Sequence, residues 1–125
     1  MKQKMVFICS PYRADEADPL EQAKAIQRNI ELARKGCRIA VERGFIPFAP
    51  HLFFPQFLNE EGERSIGIMM GIQLLSLCDE LWVLGRKVTD GMAKEISYAR
   101  NLGIPVRIME NPETGAERLM KAVKE

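Results

Sequence analysis

Apolar residues along this chain fall into two short uninterrupted runs, separated by longer stretches in which they recur every three or four positions. Met5-Val6-Phe7-Ile8-Cys9 and Leu81-Trp82-Val83-Leu84 are rich in β-branched and aromatic residues and do not alternate with polar ones. Runs of that kind predict strands buried on both faces of a parallel sheet. Residues 18–43 shift to helical spacing, with Ala23, Ile26, Ile30, Ala33, Cys37, Ala40 and Val41 as the apolar set. Pro19 suits the first turn of that helix and Gly44 its stop. Residues 45–50 read as a short strand whose prolines, Pro47 and Pro50, place it near a sheet edge or a strand end.

The stretch 51–62 carries Phe53, Phe54, Phe57 and Leu58 without a sustained period, so it is expected to be a loop or irregular helix covering something. Helical spacing returns over 64–77, where Gly67 and Gly71 suggest close approach to a neighbouring backbone or ligand. Residues 91–102 predict another helix, with Met92, Ile96, Ala99 and Leu102 inward and Gly103 just past its end. A strand over 104–109 and an amphipathic helix over 113–123 complete the chain. Strands alternating with helices in this way predict an α/β fold: a doubly wound, flavodoxin-like or Rossmann-like three-layer sandwich with a parallel sheet of four to five strands.

At 125 residues and 46% apolar content, the chain is expected to form one domain over 1–125. A formal charge of +1 provides no broad footprint for a nucleic acid polymer or a membrane surface, which leaves a small molecule as the expected partner. Cys9, Cys37 and Cys78 are odd in number and set in apolar runs, which predicts reduced, buried thiols with neither a disulfide framework nor a metal site. The apolar stretch near the N-terminus is too short for a signal-peptide core. A cytoplasmic location is therefore expected.

Open α/β sheets bind ligands outside the carboxyl ends of their strands. That rule directs attention to a phosphate- or sugar-binding site around Ser10, Tyr12, Asp79 and Glu95. The loop Ser10-Pro11-Tyr12-Arg13 offers a hydroxyl, a phenol and a guanidinium within four residues, enough to hold a phosphate or sugar. It lacks the spaced glycines of a P-loop or dinucleotide fingerprint, and a plain surface turn accounts for it equally well. Thr89 or Asp90 can cap the helix starting near Gly91, and Gly91 lets another group come close. Glu95, just over one turn into that helix, can lean back over the strand ends and act as nucleophile or base. The helix macrodipole also favours a glutamate there, so the residues alone leave both accounts open. His51, Asp79 and Arg64 each have a plain structural explanation as well: a packed loop residue, a helix end and a helix-start pair with Glu63.

Together, Ile8-Cys9-Ser10-Pro11-Tyr12-Arg13, Ile46-Pro47-Phe48-Ala49-Pro50-His51-Leu52, Cys78-Asp79-Glu80-Leu81-Trp82-Val83 and Thr89-Asp90-Gly91-Met92-Ala93-Lys94-Glu95 resemble the nucleoside 2-deoxyribosyltransferase superfamily. The likeness is nearest to a bacterial and phage branch, and it runs from about Met5 to Val106. It implies an enzyme that cleaves or transfers the N-glycosidic bond of a deoxynucleoside or its monophosphate, without a cofactor. Glu95 would be the nucleophile on the anomeric carbon, with Ser10, Tyr12, Arg13, Asp79, Thr89 and Gly91 binding substrate. It also implies at least a homodimer, because neighbouring subunits complete the pocket in that superfamily. The transferases carry an aspartate for proton transfer where this chain has Gly71, so His51 or, next, Asp90 would have to supply the acid. Hydrolysis, a non-catalytic nucleotide- or phosphate-binding module, and an interaction protein using Phe53, Phe54 and Phe57 as a subunit surface are the other readings.

Overall fold

The two uninterrupted apolar runs form the centre of the sheet. The computed structural model describes residues 3–109 and 119–122. In it β1 (Met5–Cys9) pairs in parallel with β3 (Glu80–Leu84), Phe7 opposite Leu81 and Cys9 opposite Val83. Outside β1 lies β2 (Ile46–Phe48), an edge strand as Pro47 requires, and outside β3 lies β4 (Val106–Met109). A fifth strand, β5 (Leu119–Ala122), runs antiparallel along β4, giving the order β2-β1-β3-β4-β5. Four parallel strands in this order reverse direction of growth between β1 and β3, the switch point at which doubly wound sheets open a crevice.

Side chains of the central strands alternate between two cores, as the pleat dictates. Val6, Ile8, Trp82 and Leu84 face one side and pack with Ile39 and Ala40 of α1 (Pro19–Glu42). Phe7, Cys9, Leu81 and Val83 face the other, against Leu75 of α3 (Glu60–Leu75) and Met92 and Ala99 of α4 (Asp90–Asn101). On the α1 side, the buried Glu80 carboxylate accepts hydrogen bonds from Trp82 Nε1 at 3.0 Å and Arg107 Nε at 3.1 Å. That bond pattern ties β3 to β4 and satisfies a charge that burial alone would penalise.

Three sequence expectations are corrected here. Ala23 and Val41 of α1 are exposed; the buried face is Ala25, Ala33, Gly36, Ile39 and Ala40. Small residues let α1 lie close to the sheet, so the contact face is drawn by alanine and glycine rather than by the larger apolar side chains. Leu102 is exposed too, because α4 ends at Asn101 and the chain turns at Gly103, φ 76°. Finally, residues 119–122 form β5 where a helix was expected, and the remainder of 113–123 lies outside the described residues. Pairing with the free edge of β4 outweighs the high intrinsic helix propensity of Leu, Met, Lys and Ala, which amounts to only tenths of a kcal/mol per residue.

Helix α3 begins at Glu60, earlier than spacing suggested, because Asn59 caps it. Its Oδ1 accepts from Glu61 N at 3.0 Å, and Glu63 returns a carboxylate to Asn59 N at 2.8 Å. Two glycines test the packing. A Cβ on Gly36 would collide with the Leu84 side chain and reach Ile8 at 3.6 Å, whereas Gly62 in α3 has open space. Urea denaturation should show Gly36→Val losing roughly 1–3 kcal/mol or more, and Gly62→Ala gaining up to about 1 kcal/mol.

Candidate active site

The crevice at the switch point is built from three pieces of chain. The loop after β1 supplies Tyr12 and Arg13, the start of α4 supplies Thr89, Asp90, Gly91 and Glu95, and α2 (Pro50–Phe53) supplies His51. These seven residues, widely separated in sequence, line one cavity of about 220 Å³. Tyr12 and Glu95 thus face the same space. The short turn Phe54–Gln56 and the first turns of α3 close its far side.

Local sequence explains each position. Thr89 caps α4, its Oγ1 accepting from Met92 N at 3.2 Å, and this fixes where the helix starts. Glu95 then falls one turn further in, on the face directed at β1, beside the Cys9 thiol. His51 is oriented by the chain that enters α2 through Pro50; its ring stacks on Tyr12 at 5.3 Å and 23° and hydrogen-bonds the Ser10 main chain. Tyr12 is itself anchored, its carbonyl accepting from Asn29 Nδ2 at 3.0 Å.

Two expected site residues lie elsewhere. Asp79 precedes β3 and therefore sits at the amino end of the parallel strands, where its Oδ2 accepts from Met5 N at 2.7 Å. A five-residue strand separates it from the crevice by roughly 16 Å; its work is to fix the start of β1. Ser10 is at the correct end but buried behind the cavity, 1% exposed, with its Oγ unpartnered. Gly71 is buried as well, and a Cβ there would touch Pro50 and Phe54 at 3.8 and 3.9 Å, so this position faces the apolar packing under α2.

From the sequence, Arg64 reads as half of a helix-start pair with Glu63 that could hold a phosphate if it faced the cleft. With α3 beginning at Glu60, its Nε reaches Glu60 Oε2 at 3.2 Å, and its guanidinium lies 3.5 Å from where a Gly91 Cβ would be. Gly91 is open enough to admit that arginine into the cavity wall. The signal in the sequence was the i,i+4 spacing of Glu60 and Arg64, hidden while residues 51–62 read as irregular.

Burial governs the ionisation of the site. Glu95 is 5% exposed with Oε1 unpartnered; desolvation pushes its carboxyl up to about 7, against a smaller opposing effect of the Cys9 hydrogen bond. His51 is pushed down to about 4, first by burial and then by the Arg64 charge, despite the favourable bond to Ser10. Its ring is therefore neutral near pH 7. Burial, and then the Glu60 charge, raise the Tyr12 phenol. The Cys9 thiol is raised by burial and by Glu95, which keeps it protonated and a donor. Among the described residues no group of three or more His, Cys, Asp or Glu is arranged to hold a metal ion, and no helix is long and apolar enough to cross a membrane.

A doubly wound α/β protein with a buried carboxylate at its switch-point cavity is thus defined. The chain belongs to the family described as a domain of unknown function, DUF7768, whose model matches residues 4–109. No curated protein matches it. Among solved structures, the 2-deoxyribosyltransferase of the psychrotolerant bacterium Bacillus psychrosaccharolyticus is similar, at 19% identity over 83% of this chain and 70% of that one, with a TM-score of 0.57. At that identity the two share a fold.

Opposite pH dependences follow for stability. Because the folded state raises the Glu95 pKa from 4.5 to about 7, its contribution is fully present below the lower value and is lost as pH rises to the upper one. Because it lowers the His51 pKa from 6.5 to about 4, that contribution is lost as pH falls through the same region. Chemical denaturation should show Glu95→Gln more stable than wild type by on the order of 1–3 kcal/mol above about pH 7 and equal to it near pH 4. In that variant the His51 loss on acidification should stand uncompensated.

Proposed function

We propose that this protein cleaves or transfers the N-glycosidic bond of a nucleoside or nucleotide, with Glu95 as the nucleophile. The observation that carries this reading is the Glu95 carboxylate, buried at the wall of a cavity with one oxygen free of any protein partner. A carboxylate held out of water without a counter-ion is costly to the fold, and such costs concentrate where chemistry is done. The shared fold with a 2-deoxyribosyltransferase and the spacing of Gly91 and Glu95 support the same choice.

Ionised Glu95 would attack the anomeric carbon from the face opposite the base. The carbon–nitrogen bond breaks through an oxocarbenium-like transition state as the carbon–oxygen bond to Glu95 forms. The departing base takes a proton, and water or a second base then displaces the carboxylate. The stacked Tyr12 and His51 rings give a flat wall for a base or sugar. With its ring neutral near pH 7 and hydrogen-bonded to Ser10, His51 is not poised as the acid, and in our scheme the departing base takes its proton from water at the cavity rim beside the exposed Asp90.

Glu95→Ala should lower release of free base by more than roughly 100-fold while the fold is kept. Wild-type kcat/KM should rise with pH through about 7, as the nucleophile ionises. Unchanged turnover by the variant would exclude Glu95 as nucleophile. A second reading, nucleotide binding without chemistry, is favoured by Gly71 and by the neutral His51; it predicts saturable binding by calorimetry and no free base after long incubation.

We also propose that the protein acts as a homodimer or larger homo-oligomer. Phe53 and Phe57 pack on each other at 5.1 Å yet are 48% and 58% exposed, and α3 leaves Ile66 and Met69 exposed as well, a pattern that calls for a cover. Phe54 does not share this surface; it is buried beneath it. Sedimentation should show an oligomer that Phe57→Asp with Met69→Glu converts to monomer, and a wild-type chain sedimenting only as monomer would remove the proposal.

A further inference from the structure

The Glu95 cavity and the surface behind it carry opposite charge. Around the cavity, Arg13 and Arg64 face five carboxylates, those of Asp15, Glu60, Glu63, Asp90 and Glu95, and Arg64 is already paired with Glu60. An anionic group placed deep in that space meets net repulsion. The cavity is also small, about 220 Å³, against roughly 300–1,000 Å³ for most small-molecule sites.

A second cleft, of about 920 Å³, opens on the α1 side of the same strand ends. It runs between the β1–α1 loop, the middle of α1 and the β3–α4 loop. There Arg13, Arg28, Arg86 and Lys87 face only Asp15 and Glu16. Among the described residues none of these four cations forms an ion pair. In a chain of net charge +1, such a gathering of unpaired cations at the sheet's ligand-binding edge is a local feature of the fold.

The cleft is held open by fixed walls. Gln22 Nε2 donates to Ala14 O and Asn29 Nδ2 to Tyr12 O, each at 3.0 Å, which fastens the β1–α1 loop to α1. Gly85, with φ 97°, brings the β3–α4 loop close to Pro11, 3.4 Å from where its Cβ would stand. The two cavities meet at Arg13, Asp15 and Thr89, which line both.

We propose that the cationic cleft is the phosphate subsite of the Glu95 cavity, and that the ligand is a nucleotide carrying a di- or triphosphate. Its sugar and base occupy the acidic cavity, its first phosphate lies at the shared wall of Arg13 and Thr89, and the outer phosphates extend among Arg28, Arg86 and Lys87. Guanidinium forks suit phosphate oxygens, which they can bind in pairs, and the division of charge sets the direction of binding. The nature of the sugar-and-base half rests on the proposed function; the affinity of the cleft for a phosphate chain does not.

Titration calorimetry on the full chain, at low salt and without divalent cations, tests this. The probes are inorganic tripolyphosphate, and deoxyadenosine and thymidine with their mono-, di- and triphosphates. Affinity should rise at least about tenfold from mono- to triphosphate, tripolyphosphate should bind alone, and added salt should weaken both. Arg28→Glu with Arg86→Glu should remove most of that rise and the tripolyphosphate binding; both side chains are exposed, so the melting temperature should stay unchanged. The gentler pair Arg28→Gln with Arg86→Gln should lose part of the rise. Equal affinities along the phosphate series, or tripolyphosphate binding that survives charge reversal, would overturn the subsite. Base release followed in the same samples separates the two claims. A triphosphate bound through Arg28 and Arg86 that loses no base counts against the Glu95 chemistry and for the cleft, while cleavage of free nucleoside with no gain from phosphate counts the other way.

Discussion

Everything in this structure depends on the parallel pairing of β1 with β3. Those two strands bury Val6 to Cys9 and Leu81 to Leu84 completely or nearly so, which requires helices on both faces. Their parallel direction puts the loop after Phe7-Ile8-Cys9 beside the loop after Trp82-Val83-Leu84 at one edge of the sheet. Two segments that follow residues 9 and 84 of the chain thereby become opposite walls of one crevice.

The same pairing imposes a cost at that crevice. Cys9, the last residue of β1, lies against the first turns of α4, so the side chain one turn into α4 points into a dry environment. A leucine there would simply join the core. The residue is Glu95, with one carboxylate oxygen unpartnered, and burial shifts its ionisation into the neutral range. His51 across the cavity is shifted in the opposite sense by the same dehydration and by Arg64. Two groups with opposed shifts leave the site close to balanced in stability between about pH 4.5 and 6.5, while keeping a carboxylate that changes charge near pH 7.

Charge is divided as sharply as polarity. Helix α3, capped by Asn59, brings Glu60, Glu63 and Arg64 over the Glu95 cavity, whereas α1 brings Arg28 to the far side of the β1–α1 loop. Acidic and cationic spaces therefore meet at Arg13 and Thr89, a geometry suited to a molecule with a neutral or cationic-tolerant half and an anionic tail.

The sequence by itself determined the elements whose signal is local: the buried strands 5–9 and 81–84 from continuous apolar runs, the edge position of Ile46–Phe48 from Pro47, the starts and stops of α1 and α4 from Pro19, Gly44, Thr89-Asp90-Gly91 and Gly103. It also determined which loops lie at the carboxyl edge of the sheet, because strand direction follows from strand–helix alternation. Only the tertiary structure decided that Asp79 lies at the opposite end from Glu95, that Arg64 enters the cavity, that small residues turn α1 toward the sheet, and that residues 119–122 pair with β4 instead of forming a helix. The physical reason is that propensity and period act over a few residues, whereas burial, ion pairing and edge pairing are set by neighbours far away in the chain, which no local pattern encodes.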